Sequence, residues 1–364
     1  MIIRRRPSFY IPFPFIMLFL CLSTSCHQEN PVPGGRNLPE MVIAARIFLD
    51  LQTLGTDFEI SRTFFQTKLF HMTEDLTAYL IDSNRHRILE IDREGRLRRV
   101  IGGIGQREID LYYPVAVTAN DKMLAVINNS GGEIKIFDRF APKIRVISRK
   151  ETYFLPSLII GQENELIAPA RKVTRSIAEM NEEPIFSIFD FNFNQIRAFG
   201  KAIKCSSHIA HLHFNLVELF ADGQIIYGAY ACLPILFAFD RHTGKELFKR
   251  DLRLSDIPEI NRALEREREI MADTPEKQNK PNQIRLVRMN RGIGVYKGSI
   301  YYLGYEKFLL FGPQAEFLGT LKITLNDQDI TSYIDCFVIL PAGRMFGLAT
   351  RPENRQPIIF EADL

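Results

Sequence analysis

Several absences narrow the reading of this 364-residue chain. There is no block of like charge. Three of the 46 lysines and arginines, Arg4, Arg5 and Arg6, fall in the first 25 residues, which carry no acidic residue, so 43 basic residues face 43 acidic ones in the remainder. A balanced body offers no electrostatic footprint for phosphate, which dominates nucleic-acid binding, so no nucleic-acid partner is expected. Cysteine is scarce. Beyond Cys21 and Cys26 only Cys205, Cys232 and Cys336 remain. Three cysteines at wide spacing cannot complete a disulfide framework and lack the CxxC spacing of a metal site. Cys205 and Cys232 could pair only if their strands are neighbours, and buried free thiols are the expected state. Also missing are G-x-S-x-G, H-E-x-x-H and the P-loop, so no catalytic residue is assigned. Gly102-Gly103-Ile104-Gly105 lies between β-like runs and reads as a turn, not a phosphate cradle.

No apolar run reaches the ~20 residues that span a bilayer as a helix. The longest, Phe9 to Leu22, is interrupted by Pro12 and Pro14, follows the three arginines and precedes Ser23, Thr24 and Ser25. That order is a secretory signal with its cleavage site, expected over residues 1–25. The segment Leu22-Ser23-Thr24-Ser25-Cys26 resembles the lipobox of bacterial lipoproteins. The resemblance implies that Cys26 is acylated and becomes the first mature residue, anchoring the protein to a lipid bilayer. His27 stands where an aspartate would imply inner-membrane retention, so the outer membrane is the expected address. Residues 26–40, rich in Pro, Gly and Asn, read as a flexible stalk.

Residues 41–364 carry an internal repeat. Apolar β-formers ending in an acidic or turn residue recur at 88–92, 134–138, 186–190, 236–240, 308–312 and 357–361. The intervals are 46, 52, 50, 72 and 49 residues, only one of them out of register. A second β-like run precedes each phrase and a third follows most of them, with turn residues such as Asn120-Asp121-Lys122 and Asp222-Gly223 between runs. Adding an innermost strand gives four-stranded antiparallel units. Such a unit cannot bury both faces alone, so the expected fold is an all-β, six-bladed β-propeller of radially stacked blades. The last blade ends at Leu364 one strand short. The run Ala45 to Leu51, with Ala45, Ile47, Leu49 and Leu51 on one face, supplies the missing strand and closes the ring.

Tyr79-Leu80-Ile81-Asp82-Ser83-Asn84 with Arg87-Ile88, and Ile101-Gly102-Gly103-Ile104-Gly105-Gln106 leading to Tyr113-Pro114, resemble NHL-repeat propellers over residues 76–140. Bacterial lipoproteins carrying NHL-like or TolB-like six-bladed propellers are the group that the whole chain resembles. The long interval holds a helical insertion around 255–282, with Ser255-Asp256-Ile257-Pro258 as its start and Glu265 to Glu269 as its solvated side. It is either a solvated excursion or a lid or docking element.

Propellers commonly use the loops of one face and the channel mouth. The loop after each second strand yields the candidate ligand residues Asp82, Arg85, Asn128, Arg171, Tyr230, Tyr305 and Arg351, with Asn129 beside Asn128. In His208-Ile209-Ala210-His211-Leu212-His213, read as the start of an inner strand, His211 and His213 share a face and form a weak divalent-metal pair, with Asp335 as carboxylate partner. The expected function is a non-enzymatic binding or scaffolding module for a protein, peptide or glycan at the cell envelope, with no cofactor. A metal-assisted hydrolase or lyase at the channel mouth is the alternative.

Overall fold

The computed structural model describes residues 38–54, 68–105, 107–128, 132–141, 143–148, 152–161, 165–172, 176–272 and 288–364. The signal segment, Cys26, nearly all of the stalk, Asn129 and the polar stretch 274–282 lie outside the described residues. Every recurring phrase is the third strand of a four-stranded antiparallel array. The first array comprises Phe70–Met72, Ala78–Asp82, Arg87–Ile91 and Leu97–Gly102; the second Ala116–Ala119, Met123–Asn128, Glu133–Asp138 and Ile144–Ser148. The third comprises Ile159–Ile160, Glu165–Ala168, Phe186–Asp190 and Gln195–Phe199; the fourth Val217–Asp222, Ile225–Tyr230, Ile235–Asp240 and Glu246–Asp251. The fifth comprises Gly292–Tyr296, Ser299–Leu303, Phe308–Phe311 and Phe317–Leu325, and the sixth Ile334–Ile339, Arg344–Thr350 and Pro357–Asp363. The first strands of the arrays touch in order around a closed circle, sixth against first included. The fold is a β-propeller.

The acidic residue ending each of the first four phrases caps a turn. The Oδ1 atoms of Asp92, Asp138, Asp190 and Asp240 each accept hydrogen bonds from backbone N–H groups two to four residues on, such as Glu94 and Arg96 for Asp92 or Asn192 and Asn194 for Asp190. Aspartate favours this because its short carboxylate reaches its own downstream backbone. The residue after that aspartate serves the next contact. Arg99, Arg145 and Arg197, on the outer strands of arrays one to three, donate to the carbonyls of Arg139, Phe191 and Arg241 in the following array, at 3.3, 3.1 and 2.6 Å. One arginine-to-carbonyl latch thus recurs at three successive junctions.

The seam is built differently. The N-terminal strand, Glu40–Asp50, pairs antiparallel with Pro357–Asp363, completing the sixth array as expected. It begins five residues earlier than Ala45, and that first half pairs parallel with Phe317–Leu325 of the fifth array. Arrays five and six are thereby fused into one nine-stranded sheet. The expected alternation Ala45, Ile47, Leu49, Leu51 fails at a bulge between Ile47 and Leu49. The extra residue turns Phe48 inward beside the buried Leu49, half-buried and edge-on to Phe346 at 5.3 Å, while Ile47 is exposed.

The insertion contains a helix, Pro258–Ala272, that packs Ile260 and the preceding Ile257 into the core between arrays four and five. Two further helices, Ile177–Met180 and His208–Phe214, and a small hairpin of Thr152–Phe154 with Ala170–Lys172 decorate the third and fourth arrays. Cys205, Cys232 and Cys336 are free thiols; Cys232 and Cys336 are buried and Cys205 half-buried. Among the described residues no helix is long and apolar enough to cross a membrane.

Candidate functional site

Successive connections of an antiparallel sheet fall at alternating ends, so all loops after second strands share one face. The candidates drawn from that face are largely occupied by the protein itself. Asp82 is fully buried and holds Arg87 at 2.9 Å and Arg85 at 3.5 Å. The Asn128 side-chain oxygen accepts from the Tyr112 N–H at 2.7 Å, and its amide donates to Glu133. Arg171 is the largest fully buried side chain. It donates to the carbonyls of Ala170, Pro184 and Ile185 at 3.1, 2.8 and 2.9 Å, with Glu183 at 4.0 Å, and burial lowers its pKa to about 10. Tyr230 is buried edge-on to Phe237, and burial pushes its hydroxyl well above the usual range. Arg351 binds Asp50 at 2.8 Å and so fastens the seam strand. Only Arg85 and Tyr305 present substantial surface, and Arg266 stacks on the Tyr305 ring at 4.5 Å. The structure does not gather these seven into one site.

The histidine pair requires correction. HIAHLHF is the helix His208–Phe214, started by the Ser207 side chain accepting from the Ala210 N–H, and not a strand. Residues two apart on a helix point away from each other, so His211 and His213 do not share a face. His211 is buried, with Nδ1 3.3 Å from the Asn181 side-chain oxygen; burial and the nearby Arg171 charge lower its pKa to about 4. Burial also lowers His213. Among the described residues no group of three His, Cys, Asp or Glu side chains is placed to hold a metal ion.

A cavity large enough for a small-molecule ligand lies on the ring axis. A cavity of about 810 Å³ is walled by the first strands of all six arrays and bordered by turns at Thr73 to Asp75, Asn120 to Lys122, Gly161 and Leu340-Pro341. These turns join first to second strands, at the end opposite the predicted loops. None of the seven predicted ligand residues, nor either histidine, lines it. Its volume falls within the range of small-molecule sites.

The charges around the cavity are unequal in their partners. At the mouth Asp75 is 2.8 Å from Arg139, which also donates to the Tyr79 hydroxyl and to the carbonyls of Asn120 and Asp121. Burial opposes ionisation of Asp75, but hydrogen bonds from Thr73 and Arg139 outweigh it and hold the carboxyl at about 2. Glu218 pairs with Arg288 at 3.0 Å, and Arg291 donates to the carbonyls of Gly304, Tyr305 and Ser332.

Lys68 differs from these. It stands just before the first inner strand, and its side chain crosses the ring axis to the third and fourth arrays. Nζ donates to Leu219 O at 2.9 Å and, more weakly, to Leu158 O at 3.5 Å. No carboxylate of a described residue lies within ion-pair distance of it. Burial, partly offset by the charge of Glu218, lowers its pKa to about 8. Along the same wall burial, reinforced by Lys68, lowers His71 to about 4 despite a hydrogen bond to the Ala119 backbone. Burial and the nearby Asp335 push the Cys336 thiol far above its ordinary value.

No known family profile matches the chain. A Bacteroides fragilis protein assigned as exported superimposes with a TM-score of 0.52 at 8% identity, over 89% of this chain and 99% of its own. A calcium-binding protein of Agrobacterium tumefaciens, regucalcin, superimposes with a TM-score of 0.50 at 10% identity, over 88% and 94%. At such identities the likeness concerns the fold. In sequence, the chain is 30% identical over 131 residues to Protein brain tumor of Drosophila melanogaster. That match covers 35% of this chain and spans only 11% of the length of that relative.

Proposed function

We propose that this protein is an exported lipoprotein, anchored through acylated Cys26, whose propeller binds an envelope partner in its central cavity. The observation that carries the reading is the 810 Å³ cavity, open beside first-to-second-strand turns and walled by all six arrays. The partner is a peptide, a glycan or a protein terminus small enough to enter. The order of arginines, apolar run, small residues and cysteine supports the address, and the exported Bacteroides neighbour is consistent with it. On the loop face expected from the sequence, Asp82, Arg171 and Arg351 spend their charges internally, which favours the cavity as the ligand site.

Native mass spectrometry on full-length protein extracted from its own membrane tests both halves. The wild type is expected to carry acyl mass on Cys26 and a co-purifying ligand. Ala221→Trp, which fills the cavity from the end of the fourth inner strand, should lose the ligand and keep the acyl mass. Arg85→Ala with Tyr305→Ala should keep both, and Cys26→Ala should lose the acyl mass alone. Ligand retained in Ala221→Trp would overturn the cavity reading; acyl mass retained in Cys26→Ala would overturn the anchor.

A further inference from the structure

We infer that the cavity takes a ligand bearing a carboxylate, with Lys68 as the counter-cation at its floor. This rests on the cavity being the ligand site and adds the chemistry of the ligand. The argument begins with a cost. A buried ammonium without a counter-ion is unfavourable unless hydrogen bonds or a charge compensate it. Lys68 has three N–H donors and, among the described residues, two carbonyl acceptors, one of them at 3.5 Å. Two other cations of the wall are satisfied, Arg139 by Asp75 and Arg291 by three carbonyls. Lys68 lines the cavity while bridging from array one to arrays three and four, so a ligand entering from the turn end meets its ammonium at the bottom.

The wall above it adds a second requirement. Ile159, Phe220 and Val338 line the cavity and are only half-buried, so part of their apolar surface faces its interior. Glu74, Asp121 and Lys122 ring the mouth in mixed sign. An organic acid fits that order: a carboxylate on Lys68, an apolar body against the three side chains and a polar end at the turns. The titratable groups around Lys68 do not compete in the neutral range. Glu218 is engaged by Arg288, His71 stays neutral down to about pH 4, and the Cys336 thiol stays protonated. A carboxylate remains ionised above about pH 5, so binding should weaken only as Lys68 loses its proton, near pH 8.

The experiment titrates full-length protein with small carboxylates from acetate to 4-phenylbutyrate and with the matching primary amides. It is run on the wild type, Lys68→Met, Lys68→Arg and Ala221→Trp. At least one carboxylate should bind the wild type about tenfold or more tighter than its amide, the scale of a hydrogen bond to a charged group. Lys68→Met should abolish the preference, Lys68→Arg should keep it, and Ala221→Trp should lose both ligands. Should Lys68→Met fail to fold, the wild-type pH profile decides: the preference must hold from pH 6 to 7 and decline above about pH 8. Equal binding of acid and amide by the wild type would overturn the carboxylate inference while leaving the cavity as the site. Binding by none of the carboxylates would overturn it as well, and binding unchanged in Ala221→Trp would sink the cavity reading beneath it.

Discussion

The two ends of the propeller use similar residues for different purposes. At the second-to-third-strand end, arginine and aspartate side chains face inward and close on the protein: Arg171 on three carbonyls, Asp82 on Arg87, Arg351 on Asp50. At the cavity, Lys68 reaches across the axis and finds two carbonyls and no carboxylate among the described residues. The lesson is that a charged residue in a loop says little about binding until its internal partners are counted. A side chain already satisfied by its own fold has little left to offer a ligand.

That contrast can be broken most forcefully at Arg171. Replacing it with alanine leaves three carbonyls without their donor and Glu183 buried beside a vacancy. The expected loss is about 3–5 kcal/mol, the range for removing one partner of a buried pair. Urea denaturation should show it as a lower midpoint, while cavity ligand affinity in the surviving folded protein is unchanged. A large affinity change with little loss of stability would return Arg171 to the list of binding residues. Arg351→Ala should cost less, about 1.5–3 kcal/mol, the range for one hydrogen bond to a charged group, because the Arg351–Asp50 pair keeps some contact with solvent. The backbone pairing of Glu40–Asp50 with both neighbouring strands remains when that ion pair is gone. A loss as large as that at Arg171 would mean that the seam depends on this pair and not on its ladder.

Much of the architecture was legible in the sequence, for identifiable reasons. Second and third strands carry dense apolar runs because they are covered on both faces, and the terminal aspartates of third strands recur because each caps the same turn. The closing strand showed itself through the missing fourth strand of the last array. Its bulge did not, since Phe48 and Ile47 are equally apolar and only the register separates them. HIAHLHF looked like strand alternation because His211 and His213 stand two residues apart. The Ser207 cap and the return hydrogen bonds of the Asn215 amide to His211 O and Ile203 O make it a helix instead.

The candidate site was scarcely legible. Lys68 precedes an inner strand of three residues and carries no local signal; its importance arises only when the closed ring brings residues 68, 158 and 219 together. Arg171 misled for the converse reason, since its partners are backbone carbonyls, which every residue possesses and no sequence pattern marks.

The claim that Lys68 is a buried cation with no ion-pair partner among the described residues is tested most directly by the pH dependence of folding stability in the wild type against Lys68→Met. Lys68 has a folded pKa of about 8, below the ordinary 10.5, so between those values the unfolded chain binds more protons than the folded one. Stability must then rise with pH across that window. The difference in unfolding free energy, wild type minus Lys68→Met, should be flat from pH 6 to about 7.5, climb between about pH 8 and 10.5, and level off beyond. A difference that stays flat or falls across that interval would show that the ammonium is already compensated, and would contradict the account.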